Sequence, residues 1–217
     1  MYRSETGKVL SHWRWTSLLL VLLAAMFLSV LSDDSAFSHF ITIAAYSLVF
    51  LGTLRAATLA SPLRKIGFGL VALWFVLALV GSSDKVSYAG PAFIFVTACI
   101  LVGCLLVTVS ELAQNREAGL DPIMGAVFGY ILIGVSWSLL YVQIELETPG
   151  AFKSPSEYHY KMSSEFIYFS LVTLTSLGYG DITPLKPIPR LLAGLQAATG
   201  TIYIAVFIGR IVGRFKD

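Results

Sequence analysis

The sequence predicts an all-α membrane protein in which six membrane-crossing helices frame one shorter, re-entrant segment. Three observations predict it. Of 217 residues, 56% are hydrophobic and only 13% charged, with a mean hydropathy of +0.77. That balance lies outside the range of soluble domains. Six apolar runs recur along the chain, each approaching the ~20 residues that cross a bilayer. Between the last two runs, residues 173–181 read TLTSLGYGD, too rich in glycine and hydroxyls for another span.

Residues 1–14 are polar and basic, with Arg3, Lys8 and Arg14. Trp13 and Trp15 stand where an interfacial aromatic anchor belongs. The first span is 16–31. A basic start and an apolar run also describe a secretory leader, but this run is long for one and no A-x-A site follows. Asp33 and Asp34 make an acidic turn before the second span, 37–54, which ends near Arg55. Ser61 and Pro62 are expected to break the chain, and Arg64 and Lys65 precede a short third span, 66–80. A loop over 81–91 leads to the fourth span, 92–109. Cys99 and Cys104 both fall in that span, five residues apart, on one helix rather than on opposed backbones, so no disulfide is expected between them.

The stretch 111–121 is polar, and Pro122 suits a helix start ahead of the fifth span, 123–144. A polar, aromatic loop covers 145–161. Its acids Glu145, Glu147 and Glu157 read as solvated charges. Ser163 or Ser164 caps a short helix running to about Thr175. After the glycine-rich stretch, Pro184, Pro187 and Pro189 keep the chain extended, Pro189 suits the first turn of a last helix, and the last span is 191–212. The chain thus divides into a terminus (1–14), a four-helix membrane domain (15–118) and a third part (119–217).

Lysine and arginine set the orientation. With both termini in the cytoplasm, ten basic residues lie inside and five outside (Lys85, Lys153, Lys161, Lys186 and Arg190). No basic face suits a nucleic acid. His12, His39 and His159 are scattered through terminus and loops, and no metal or nucleophile constellation points to an enzyme.

Irregular backbone at membrane depth is tolerated only where protein buries it or it lines a water-filled path. In 173–181 the glycines alternate at 178 and 180. Glycine accepts φ > 0, which L-residues resist, so consecutive carbonyls can face one way. A row of carbonyl oxygens above the hydroxyl of Ser176 or Thr175 makes a ladder for a dehydrated monovalent cation. One chain supplies one row, so a ring needs four copies.

The pattern T-x-T-x-x-G-Y-G-D, six fixed residues in nine, resembles the signature of potassium channels, in a six-transmembrane, voltage-gated-like architecture of prokaryotic kind. The resemblance is strong over 121–217 and architectural over 1–120. It implies a K⁺-selective channel in the plasma (inner) membrane, a homotetramer in contact with membrane lipids. Thr175, Ser176, Leu177, Gly178, Tyr179 and Gly180 would form the selectivity filter, with K⁺ ions at Ser176, Leu177, Gly178 and Tyr179. Asp181 would stand at the mouth. Tyr168 and Phe169 would form the aromatic cuff, Tyr168 hydrogen-bonding Asp181. Val172 stands where some relatives carry a carboxylate that pairs with that aspartate. Gly200 resembles a gating-hinge glycine, although close packing explains it equally. Thr201, Ile204, Ile208 and Val212 would line the cavity and inner gate.

Two positions depart from the commonest form: Ser176 replaces threonine and loses the methyl that stiffens χ1, and Leu177 replaces valine. A less selective cation channel and a K⁺ transporter subunit are the competing readings. The fourth span carries no lysine or arginine, and each gating charge is worth about 2.3 kcal/mol per 100 mV, so strong voltage gating is not expected. No cytoplasmic ligand-binding domain is expected after the last span.

Overall fold

The computed structural model describes residues 13–31, 36–56, 61–81, 89–114, 119–153, 162–209 and 213. Among them are seven α-helices: α1 (Arg14–Leu31), α2 (Ala36–Ala56), α3 (Ser61–Gly81), α4 (Ala89–Gln114), α5 (Leu120–Glu147), α6 (Met162–Leu174) and α7 (Pro187–Tyr203). Strands β1 (Phe152–Lys153) and β2 (Thr183–Pro184) are two residues each, and π-helical turns over Ile204–Ile208 continue α7. Two helical stretches, Phe95–Gln114 and Leu120–Glu147, are long and apolar enough to cross a membrane. Asp33, Asp34, Arg116, Glu157 and Val212 lie outside the described residues.

The chain forms two compact units that divide inside α5, the second being Tyr130–Gly213. The sequence alone places a boundary earlier, in the polar stretch before α5. In the first unit α1 packs on α2, α2 on α3 and α4, and α3 on α4. Aromatic contacts knit this unit. Trp74 meets Phe50 edge-on at 5.2 Å and donates its indole N–H to Thr97 Oγ1 at 2.8 Å. The hydroxyls of Ser47, Thr53 and Thr108 donate to Ile43, Val49 and Cys104 carbonyls one turn back. Such back-bonding lets an apolar helix bury a hydroxyl without leaving it unpaired. Both cysteines are free thiols.

The first turn of α1 is held by Asp121. Its Oδ1 accepts from the backbone amides of Trp15 and Thr16 and from Thr16 Oγ1, at 3.0, 3.0 and 3.1 Å. A helix start has amides without intrahelical partners, and here the cap comes from another helix. The same contact corrects the expectation for Trp15. The ring is 1% exposed and lies 6.0 Å from Phe128, so it is a packing residue. Of the pair Trp13 and Trp15, Trp13 is the exposed one.

Ser61 and Pro62 do not break the chain. They open α3, because proline in a first turn forfeits an amide that has no partner there. Pro187 likewise opens α7 instead of keeping the chain extended, Pro189 lies in the first turn as expected, and the helix begins before the expected 191. The short helix α6 ends at Leu174, one residue earlier than expected.

The second unit is centred on Tyr141, Ala151, Phe152, Phe166, Phe169 and Ile182. Phe152 stands edge-on to Phe166, Phe169 and Tyr141 with centroids 4.9–5.5 Å apart. Strands β1 and β2 pair antiparallel, Phe152 opposite Pro184 and Lys153 opposite Thr183. The Ala151 carbonyl accepts the amides of Leu185 and Lys186. Glu145 is not merely a solvated charge: its carboxylate accepts from the Gly150 and Phe152 amides at 2.8 and 3.1 Å and fixes the turn that delivers β1. Glu147 accepts from Gln143 Nε2.

Replacing Asp121 by alanine removes the cap on α1. An N-cap is worth about 1 kcal/mol, which lowers the thermal midpoint of a chain this size by about 2–4 °C. Scanning calorimetry in detergent measures it. Asp121→Asn keeps the Oδ1 acceptor and most of the midpoint.

Candidate functional site

Residues 175–181 leave the end of α6 as one continuous exposed stretch. The last four carbonyls of α6 each find a donor, which fixes where this stretch begins. Leu171 O accepts the Thr175 amide and Thr175 Oγ1. Val172 O accepts the Leu177 amide at 3.0 Å, and Thr173 O the Ser176 amide at 3.0 Å. Leu174 O accepts the Tyr130 hydroxyl at 3.0 Å. Val172 therefore acts through its carbonyl, and its side chain offers no charge to Asp181.

Beyond that point φ is positive at Ser176 (58°), Gly178 (60°) and Gly180 (81°). The two glycines are where the sequence leads one to expect them. Ser176 is not, since a residue with Cβ resists the left-handed region. Among the described residues it is the one non-glycine that adopts it, a conformation that costs about 1–3 kcal/mol and persists only when its surroundings enforce it. Side chains at Leu177 and Tyr179 are 55% and 68% exposed within one chain.

The far end of the stretch is braced by Tyr168, whose hydroxyl donates to Asp181 Oδ2 at 2.6 Å. Its ring stacks on Tyr179, with centroids 6.5 Å apart and planes 6° from parallel. Asp181 Oδ1 also accepts the Ile182 amide. The Tyr168 bond holds the Asp181 carboxyl below its ordinary value of 3.8. Phe169, the other expected cuff residue, points instead into the aromatic core around Tyr141 and Phe152.

Helix α7 turns Pro189, Gln196, Gly200 and Tyr203 inward. A Cβ on Gly200 would lie 2.0 Å from Leu174 O. The glycine is therefore required for close approach of α7 to the end of α6, the packing alternative to a hinge. Backbone irregularity comes later, in the π-helical turns over Ile204–Ile208, a feature that recurs at functional sites. Thr201 and Ile204 are exposed.

The sequence does not single out Tyr130, Tyr141, Ser170 or Gln196, all of which bond within this unit. For Gln196 the signal is present: a large amide inside an apolar span wants a reason.

A family model described as "Ion channel" matches residues 155–217. Protein LctB of Bacillus caldotenax is 30% identical over 127 residues, 56% of this chain and 93% of that protein. Protein LctB of Geobacillus stearothermophilus is 32% identical over the same shares. Potassium voltage-gated channel protein shk-1 of Caenorhabditis elegans is 41% identical over 49 residues, 23% of this chain and 9% of that protein. The chain belongs to the potassium channel family. As a member of that family it is a helical membrane protein and an ion channel, not an enzyme. No solved structure matches it.

Two outcomes follow for this channel. Gly200→Ala drives a methyl into the Leu174 carbonyl, an overpacking that costs about 1–3 kcal/mol or more. Size-exclusion yield and thermal midpoint should both fall, whereas a pure hinge role leaves them intact and alters gating alone. Tyr168→Phe removes the brace on Asp181 and speeds current decay at neutral pH. A carboxyl with a lowered pKa contributes above its ordinary value and ceases to as pH falls through the lowered one. Acidifying the solution on the Asp181 side below 3.8 should therefore bring the unmutated channel toward the variant and leave the variant unchanged.

Proposed function

We propose that this chain forms a K⁺-selective channel in which four copies present residues 175–180 around a common axis. The observation that carries the reading is the alternation of positive φ at Ser176, Gly178 and Gly180 in an exposed stretch anchored at both ends. Alternating handedness is the backbone pattern that lets successive carbonyls face one way. Such a row replaces the water shell of a monovalent cation. The carbonyls of Thr175, Ser176, Leu177, Gly178 and Tyr179 then serve as ligands, with the Ser176 hydroxyl at the innermost site. Gly180 closes the row beneath Asp181.

A tetramer also accounts for the exposed Leu177 and Tyr179. Side chains of that size in a lone chain are left for a neighbouring subunit to cover. In the same reading Thr201, Ile204, Ile208 and Val212 line the cavity and the inner constriction. Each subunit crosses the plasma membrane six times, both termini lie in the cytoplasm, and the carried ion is K⁺. Helix α4 holds no lysine or arginine, so opening depends only weakly on voltage.

Ser176 favours one second reading, a less selective monovalent cation channel. Serine lacks the branched methyl that would stiffen the innermost site.

A planar-bilayer recording of the purified protein, K⁺ on one side and Na⁺ on the other, separates the two. A reversal potential close to that of K⁺ supports the selective channel. A value near zero supports the looser one. An open probability that climbs steeply with voltage would overturn the absence of a sensor.

A further inference from the structure

Behind the candidate filter lies a polar cluster closed to solvent. Tyr141, Ser170 and Gln196 are each 0% exposed. Gln196 Nε2 on α7 donates to both Ser170 O and Ser170 Oγ on α6, at 3.0 and 2.6 Å. Ser170 Oγ donates to Gly134 O on α5 at 2.6 Å. The Tyr141 hydroxyl of α5 donates to Gln196 Oε1 at 2.7 Å. Both amide hydrogens, the amide oxygen and both hydroxyls are thus engaged. Burying an amide among apolar helices is costly unless its bonds are complete, and a complete network fixes one arrangement.

The position of the cluster gives it a task. Ser170 lies one helical turn before Leu174, and the candidate filter starts at the next residue. Gln196 lies one turn before Gly200, where α7 touches the Leu174 carbonyl. The two contacts are spaced alike on both helices. One is directional hydrogen bonding, the other close approach. Together they set the rotation and the height of α6 on α7. An apolar residue at 196 could fill the space but could not select that height.

We propose that Gln196 is a positioning residue for ion selectivity: by gripping Ser170 it sets the place of α6 on α7 and with it the spacing of the carbonyls that follow. The proposal rests on reading residues 175–180 as the filter.

The test uses the full chain in planar bilayers with K⁺ against Na⁺, comparing unmutated protein with Gln196→Met, Gln196→Glu and Tyr141→Phe. Gln196→Met keeps length and removes the donors. Its K⁺/Na⁺ permeability ratio should fall by about tenfold, the scale of a buried polar group left unpaired. Gln196→Glu still accepts from Tyr141, and its carboxyl donates to Ser170 only while protonated. Tyr141 and Ser170 are the polar groups that face it from α5 and α6. Its ratio should recover toward the unmutated value in acid and fall as both solutions are taken from about pH 5 to about pH 9. A role in packing alone would leave Gln196→Met selective and give no such recovery. Tyr141→Phe keeps the ring and should shift the ratio in the same direction by less. If Gln196→Met does not assemble, Tyr141→Phe and Gln196→Glu decide.

Assembled variants with unmutated ratio and unit conductance overturn the proposal. A reversal potential near zero in the unmutated protein overturns the filter reading instead. Unit conductance then judges Gln196, falling in Gln196→Met if the residue sets carbonyl spacing and staying constant if it does not.

Discussion

Backbone carbonyls can stand in for the water around a cation only while the backbone that carries them stays still. A strand of alternating handedness has no regular hydrogen-bond ladder of its own, so its stillness comes from its neighbours. The second unit is arranged to supply them. The end of α6 is tied off carbonyl by carbonyl, the last to the Tyr130 hydroxyl. The far end is tied by Tyr168 to Asp181. Behind it, α6 is held by Ser170 and Gln196, and the paired strands β1 and β2 secure the chain where it leaves. Ser176 can hold a left-handed conformation that its Cβ disfavours because both flanks are fixed.

The aromatic core serves the same end. Phe152 reaches its place among Phe166, Phe169 and Tyr141 because Glu145 holds the turn before it. Edge-on rings contribute about 0.5–1.5 kcal/mol per pair beyond their burial, and they resist sliding. The first unit follows a simpler logic. Its helices meet through apolar and aromatic side chains, and buried hydroxyls bond within their own helix. Helix α4 carries no lysine or arginine.

The helices were legible because apolar runs of bilayer length announce themselves, and the filter candidate because two alternate glycines beside hydroxyls have few other uses. Proline misled at Ser61 and Pro62 and again at Pro187, since a residue that stops a helix also starts one. Trp15 misled because a tryptophan at a span boundary reads as an anchor until Asp121, more than a hundred residues away, draws the first turn of α1 against α5. Gly200 left two readings open in sequence, and only the Leu174 carbonyl beside it argues for packing. The left-handed Ser176 and the π-helical turns at Ile204–Ile208 have no signature in residue type that would announce them.

The central claim is that residues 175–180 of four chains together hold dehydrated K⁺. A ligand that binds only the assembled state stabilises it by mass action. The most direct measurement is the temperature at which the purified assembly dissociates in detergent, with K⁺, Na⁺ or choline as the monovalent cation. The account predicts a tetramer that survives to a distinctly higher temperature in K⁺ than in Na⁺ or choline. Equal temperatures in all three, or a protein that never assembles beyond a dimer, would contradict it.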